Sequence, residues 1–159
     1  MPLLPPASFK VYAAKLGIQF DIEAGKKGEP IPQWLADRIG WPELACEVAN
    51  VYHSWPLNEQ RNTVIVSSNY GQAGALELYG PQLGKSFHSW GPPPDSVTTY
   101  IGVNIDVEGV KDMFESIEEA AVYNCADCTR PQQIQPIYIL RGPRFSIKKE
   151  WPKFKIYGW

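Results

Sequence analysis

The stretch "VIVSSNYGQAGALELYGP", from Val64 to Pro81, has the order of a strand, a loop and a helix. Its β-branched start, "TVIVSS" from Thr63, predicts a strand that is covered on both faces, as in a parallel sheet. "GQAGALELYGP" predicts a helix that stops at Gly80-Pro81. Many proteins hold a phosphate with a strand, a glycine loop and a helix. The stretch is therefore either a phosphate site or a tight turn into a packed helix.

The spacing of the glycines favours the turn. A dinucleotide-binding loop has Gly-x-Gly-x-x-Gly after the strand and an acidic residue roughly 20 positions later. Gly71 and Gly74 supply only Gly-x-x-Gly, without the middle glycine that lets the backbone approach a pyrophosphate. We interpret Gly71 as the turn residue and Gly74 as the residue that lets the helix lie close to the sheet. "YGPQLGKS" resembles a P-loop, but its glycines are one residue too close and it follows a helix instead of a strand.

Outward from this stretch, helical and extended patterns alternate along the chain. Helical periodicity marks "PPASFKVYAAKLG", "QWLADRIG", "WPELACEVANVYHSW", "VEGVKDMFESI" after Asp106, and a short closing helix around Trp151-Pro152. Strands are predicted for "SVTTYIGVN", "EEAAVYN" and "PIYILRG". Turn-forming and polar residues predict an exposed loop at "IQFDIEAGKKGEPIPQ", a polar connection at "PLNEQRN" and a long loop at "QLGKSFHSWGPPPD".

This alternation predicts one α/β domain over residues 1–159. We expect a mainly parallel open sheet of about four strands with flanking helices, Rossmann-like and three-layered, after an N-terminal helical segment. The chain has 159 residues, 44% of them hydrophobic, which is enough to form a core. Its net charge is -2 and no basic patch stands out, so we expect no nucleic-acid partner. No apolar run approaches the roughly 20 residues of a membrane-spanning helix, and "MPLLPPASFK" lacks the features of a signal peptide.

Catalytic motifs are weak in this sequence, and we predict no catalytic residue, no metal site and no cofactor. No Gly-x-Ser-x-Gly elbow is present. Cys125 and Cys128 have the spacing of a redox pair, of half a metal site or of a local disulfide, and in a reducing compartment two free thiols are expected. His88 and Trp90 lie in the aromatic, proline-stiffened loop "SFHSWGPPP", and loops of this kind carry function more often than core elements do.

Four segments together resemble a known family. They are "PIPQWLADRIGWPELACEVANVYHSWP", "NYGQAGALELYGP", "SFHSWGPP" and "PIYILRG". Their order is similar to the C-terminal soluble domain of bacterial family-39 glycosyltransferases, multi-spanning membrane enzymes related to the protein mannosyltransferases. The resemblance spans nearly the whole chain and is most specific from Pro32 to Trp41 and from Asn69 to Pro81. "PLLPPASFKVY" resembles the segment that leaves the last membrane helix, with residues 1–31 following that helix in the parent protein and Met1 a start added by truncation.

The resemblance implies an extracytoplasmic, periplasmic domain of a parent enzyme that transfers a sugar from a polyprenyl-phosphate donor. The catalytic acid of such an enzyme lies in its membrane part, so the chain alone is expected to be inactive and to have that membrane-embedded portion as its partner. The domain would be an accessory module that binds acceptor or donor, with a sugar phosphate or a polyprenyl-linked molecule as ligand. Asn69, Tyr70, Gly71 and Gln72 match the family segment directly.

A ligand of this domain is expected at the carboxyl ends of the strands, where open α/β sheets bind their ligands. We predict Asn69, Tyr70, Gly71 and Gln72 at the mouth of the site, with His88 and Trp90 on a flanking loop. Asn69 and Gln72 would offer amide hydrogen bonds, the helix N-terminus would favour an anionic group, and Trp90 would stack on the ligand.

Two other functions fit the same sequence. One is a free-standing soluble α/β enzyme or a nucleotide- or sugar-phosphate-binding protein that uses the same crevice. The other is a structural or interaction module without a small ligand, which an exposed apolar patch would indicate. A reading frame that continues upstream into successive membrane-spanning segments would favour the glycosyltransferase domain over both.

Overall fold

The computed structural model describes residues 4–21, 28–83, 96–128, 132–146 and 148–150. The chain combines helices with one four-stranded sheet, so the predicted α/β class is confirmed. The helices are α1 (Pro6–Lys15), α2 (Gln33–Ala36), α3 (Trp41–His53), α4 (Leu57–Arg61), α5 (Tyr70–Tyr79) and α6 (Val107–Val110). The strands are β1 (Thr63–Ser67), β2 (Thr99–Val103), β3 (Phe114–Asn124) and β4 (Ile134–Pro143), and 3-10 turns cover Gly80–Leu83 and Lys111–Met113.

The order of the sheet is β1-β2-β4-β3, and only one of its pairings is parallel. β1 runs parallel to β2, with Ile65 opposite Ile101, and α5 lies in the crossover between these two strands. β4 is antiparallel to both β2 and β3. The predicted mainly parallel sheet is therefore wrong, and the sheet does not have the plain Rossmann-like arrangement that we expected.

One source of the wrong prediction of a mainly parallel sheet is the segment from Val107 to Ile117, which we predicted as one helix. Helix α6 ends at Val110, a 3-10 turn follows, and the chain is already extended at Phe114. A parallel neighbour needs a crossover of a dozen or more residues, whereas strands joined by a short turn pair antiparallel. β3 and β4 are joined by residues 125–133, which is fewer than such a crossover needs, and they pair antiparallel as a hairpin. The apolar residues at helical spacing pack instead along this hairpin, as Phe114 and Ile117 do in one cluster.

The core lies on both faces of the sheet. On one face, the predicted apolar stripe of α3, including Leu44 and Val48, packs with Leu76 of α5 against Ile101 and Ile137 of the two central strands. On the other face, the core cluster consists of Val97, Tyr100, Phe114 and Leu140. All five residues of β2 are buried. The most deeply buried strand, β2, therefore lies between its parallel neighbour β1 and its antiparallel neighbour β4.

Two connections are more ordered than predicted. The segment before α2 contains an antiparallel bridge between Phe20 and Glu29, and Ile31 is fully buried there, so it is not simply an exposed loop. "PLNEQRN" forms helix α4 because Pro56 precedes its first turn and the backbone N–H of Gln60 donates to the Pro56 carbonyl. In the described parts of the chain, no helix combines the length and the hydropathy that crossing a bilayer requires.

Candidate functional site

The loop between β1 and α5 is closed by the side chain of Asn69. Its backbone is extended, with φ of -146° and ψ of 162°, and it is the N-cap of α5. The Oδ1 atom of Asn69 accepts a hydrogen bond of 2.9 Å from the backbone N–H of Gln72. The carbonyl of Asn69 accepts another, of 3.1 Å, from the N–H of Ala73. An asparagine at this position therefore sets where the helix begins and how it leaves the sheet.

We expect Asn69→Ala to lower the free energy of unfolding by about 1 kcal/mol, because alanine cannot accept the hydrogen bond of the N-cap. Asn69→Asp is the matched control, since aspartate keeps an acceptor and is about as good an N-cap. Urea unfolding measures both. Equal losses for the two variants would show that the side chain does not act as a cap.

Gln72 is turned into the protein instead of towards a ligand. Its side chain is only 2% exposed. The Ser68 hydroxyl donates to its Oε1 at 3.0 Å, and its Nε2 donates to Oε1 of Gln135 at 2.8 Å. Nε2 of Gln135 in turn donates to the carbonyl of Gln132 at 3.1 Å. The predicted role of Gln72 as a hydrogen-bond donor at the mouth of the site does not fit this placement, because its amide is already used inside the fold.

A groove runs along the exposed face of α5, beginning at Asn69. It has a volume of about 470 Å³. The helix contributes side chains at successive turns, so the groove extends roughly 13 Å at 1.5 Å per residue. This wall is formed by Tyr70, Gly71, Gly74, Ala75, Leu78 and Tyr79. Three of the predicted site residues, Asn69, Tyr70 and Gly71, are thus brought together at one end of the groove.

The opposite wall comes from a distant part of the sequence. Gln33 and Asp37 of the α2 region and Trp41 at the start of α3 face α5 across the groove, and Gln132 lies beside them. The indole Nε1–H of Trp41 donates to the carbonyl of Asp37 at 2.7 Å, and Nε2 of Gln33 donates to Oδ1 of Asp37 at 2.5 Å. These bonds fix the wall. The helical spacing along α5 could have revealed Tyr79, but only the tertiary fold reveals Trp41.

The two glycines of α5 have other roles than we predicted. Gly71 lies within the first turn of the helix, with φ outside the left-handed region, so it is not the turn residue. A β-carbon there would lie 3.4 Å from Cη2 of Trp41, which shows how closely the opposite wall approaches. A β-carbon at Gly74 would meet nothing within 4 Å. Gly74 therefore does not serve close packing on the sheet, and its missing side chain leaves the groove open.

Cys125 and Cys128 form a disulfide in the turn between β3 and β4, and both residues are buried. Nζ of Lys10 in α1 contacts this turn, at 2.8 Å from the carbonyl of Ala126 and 3.1 Å from Oδ1 of Asp127. The disulfide settles the alternatives that the spacing left open. Among the described residues, no group of three or more His, Cys, Asp or Glu side chains is placed to hold a metal ion.

The other two predicted site residues, His88 and Trp90, lie outside the residues that the structure describes. Their placement at the groove stays a prediction. Comparison of the chain with known protein families, with curated proteins and with solved structures finds no match.

Proposed function

We propose that this chain is a non-catalytic, ligand-binding domain of a membrane glycosyltransferase that uses a polyprenyl-phosphate sugar donor. In this proposal the domain lies on the extracytoplasmic, periplasmic side, beside the membrane-embedded portion of the same parent protein. The groove along α5 would hold part of the acceptor or of the donor while the membrane part performs the transfer.

The groove is the observation that carries the proposal. Its two walls are the two segments in which the family resemblance is most specific, from Pro32 to Trp41 and from Asn69 to Pro81. These segments are far apart in the sequence, yet they face each other across one open cleft. A concave site with aromatic side chains and a few polar groups is the usual form of a small-molecule site.

The disulfide supports the proposed compartment. Disulfides form and persist in oxidising environments such as the bacterial periplasm and are rare in the cytosol. The Cys125–Cys128 bond lies just after β3, a few residues before Gln132 of the groove lining. An extracytoplasmic location accounts for a bonded pair that is buried against the fold.

The proposal is tested by titrating the isotope-labelled chain and following its amide signals. The ligands are short polyprenyl-phosphate sugars and the oligosaccharides that a glycosyltransferase would accept. We expect shifts for Tyr70, Gly71, Gly74 and the indole N–H of Trp41 with at least one of these ligands. No shift at these positions at millimolar concentrations of all of them would contradict a ligand-binding role.

The proposed parent protein has its own test. The gene should continue upstream of the codon for Met1 into several apolar segments, each of roughly 20 residues, as membrane-spanning helices require. A stop codon in that frame directly upstream would contradict a membrane-enzyme parent. It would leave ligand binding at the groove intact as a separate question.

A further inference from the structure

We propose that the groove along α5 binds a neutral saccharide and not the phosphate-bearing part of a substrate. This inference rests on the proposed function and deepens it, because it assigns the groove to the sugar or glycan portion of the acceptor or donor. It differs from the expectation that the N-terminus of α5 favours an anionic group. Charge, hydrogen bonding and the type of side chain in the groove each support it.

The charge of the groove disfavours a phosphate. Among the described residues that line it, the one charged side chain is the carboxylate of Asp37, and none is basic. Sites for phosphate usually pair it with arginine or lysine. In the described part of this groove a phosphate would lack such a partner and would be repelled by the carboxylate. A neutral polyol has no such penalty, and a carboxylate can accept hydrogen bonds from its hydroxyl groups.

One of the N–H groups at the start of α5 is already bonded within the protein. An anion binds at a helix N-terminus because the first backbone N–H groups have no partner in the helix. In α5, Oδ1 of Asn69 accepts from the N–H of Gln72. The side chain of the N-cap therefore takes one of the donors that an anionic ligand would otherwise use.

The side chains of the groove match the two kinds of surface that a sugar ring presents. A pyranose has an apolar face of C–H groups and an edge of hydroxyls. Aromatic rings offer a flat apolar surface for the first, and Tyr70, at 90% exposure, makes little packing contact that would otherwise explain it. Amide groups can donate and accept for the second. The amide residues Gln33, Asn69 and Gln132 line the groove together with the aromatic residues Trp41 and Tyr79.

The same composition disfavours the polyprenyl chain as occupant. A hydrocarbon chain is best covered by aliphatic side chains and gains nothing from amide and carboxylate groups, which lose hydration when it binds. Among the described residues of the groove, the aliphatic side chains are those of Ala75 and Leu78, and Leu78 is itself exposed. A saccharide, unlike a lipid tail, can also use the amide and carboxylate groups of this lining.

Tyr70 and Gly74 provide variants that change the groove without weakening the fold. Tyr70→Ala removes an exposed ring, and we expect roughly tenfold weaker saccharide binding, with Tyr70→Phe retaining most of the affinity. Gly74→Leu places a side chain in the open groove and should abolish binding while leaving the helix at least as stable. Gly74→Ala is the matched control: it should raise the free energy of unfolding by about 0.5–1 kcal/mol, because alanine is the better helix former.

The experiment compares amide shifts of the full chain with three kinds of ligand. They are neutral methyl glycosides and short oligosaccharides, inorganic phosphate, and sugar phosphates. We expect the neutral saccharides to shift the groove signals, these shifts to disappear in Gly74→Leu, and inorganic phosphate to cause none. A sugar phosphate that binds no more tightly than the neutral sugar supports the same conclusion, since binding then acts through the ring.

The contrary outcomes are distinguishable from failure of the proposed function. If phosphate or sugar phosphates shift the groove signals and neutral saccharides do not, the inference is overturned while ligand binding stands. If saccharides bind but Tyr70→Ala and Gly74→Leu leave their affinity unchanged, they bind elsewhere and the inference is overturned. If no ligand of any class shifts these signals, both proposals fail.

Discussion

Gly40→Ala is expected to lower the free energy of unfolding by about 3 kcal/mol, one of the largest effects of any single-methyl addition in this fold. Gly40 precedes α3 with φ of 83°, a left-handed conformation that costs other residues roughly 1–2 kcal/mol. A β-carbon there would lie 2.7 Å from the hydroxyl oxygen of Tyr123. It would also lie 3.0 Å from Sγ of Cys125 and 3.1 Å from Sγ of Cys128. Because the disulfide joins the two sulfur atoms, neither can move away alone.

Gly17→Ala is the control that separates strain from crowding. Gly17 follows α1 with φ of 66°, but a β-carbon there would meet nothing within 4 Å. We therefore expect this variant to lose only the cost of the left-handed backbone, roughly 1 kcal/mol. Thermal and urea unfolding of both variants measure the difference. Losses of equal size would mean that the disulfide and Tyr123 do not crowd Gly40.

Gly40 also connects the disulfide to the groove. It lies directly before Trp41, whose ring forms part of one wall, and its close neighbours include both bonded cysteines. Burial raises the pKa of the Tyr123 phenol above its ordinary value of 10.0, and the negative charge of Glu43 raises it further. The phenol therefore keeps its proton at neutral pH and remains an uncharged neighbour of the sulfur atoms. We therefore expect a substitution at Gly40 to displace Trp41, the next residue in the chain, and so to change the groove.

The sequence predicts those elements whose pattern is strong and local. β1 combines β-branched residues with a helix that follows directly, and α3 carries an apolar stripe over its whole length, so both were predicted correctly. The segment from Val107 to Ile117 was predicted wrongly, because its apolar spacing fits a helix while its pairing partner lies in β4. The antiparallel pairing of β2 with β4 joins residues that are far apart in the sequence, such as Ile101 and Ile139, and the parallel character of the sheet was misjudged because no local pattern reveals it.

The candidate site likewise contains some residues that local sequence predicts and others that it does not. Asn69, Tyr70 and Gly71 could be placed at the mouth of a crevice because they follow a strand and begin a helix. The inward turn of Gln72 could not be foreseen, since its partner Gln135 is 63 positions away. The position of Trp41 in the groove could not be predicted for a similar reason. It results from the packing of α3 beside α5, which no local pattern describes.

Gln72→Met is expected to lower the free energy of unfolding by about 2 kcal/mol although it preserves most of the side-chain volume. The amide of Gln72 is bonded to Oε1 of Gln135, and both side chains are buried. Without its donor, that oxygen stays inside the protein with no water to replace the bond, which is the costly half of a broken hydrogen bond. Gln19→Met, on the surface, serves as the control and should change stability by no more than about 0.5 kcal/mol.

The double variant Gln72→Met/Gln135→Met decides whether the two amides act as a pair. Replacing both partners of a buried hydrogen bond by apolar groups of similar shape costs less than removing one, because no amide is then left facing a missing partner. We expect the double variant to be more stable than the sum of the single variants predicts, by about 0.5–3 kcal/mol in a double-mutant cycle. Strict additivity would contradict the pairing. Because Gln135 also holds the carbonyl of Gln132, a coupled pair means that the buried amides fix one wall of the groove relative to the helix that forms the other.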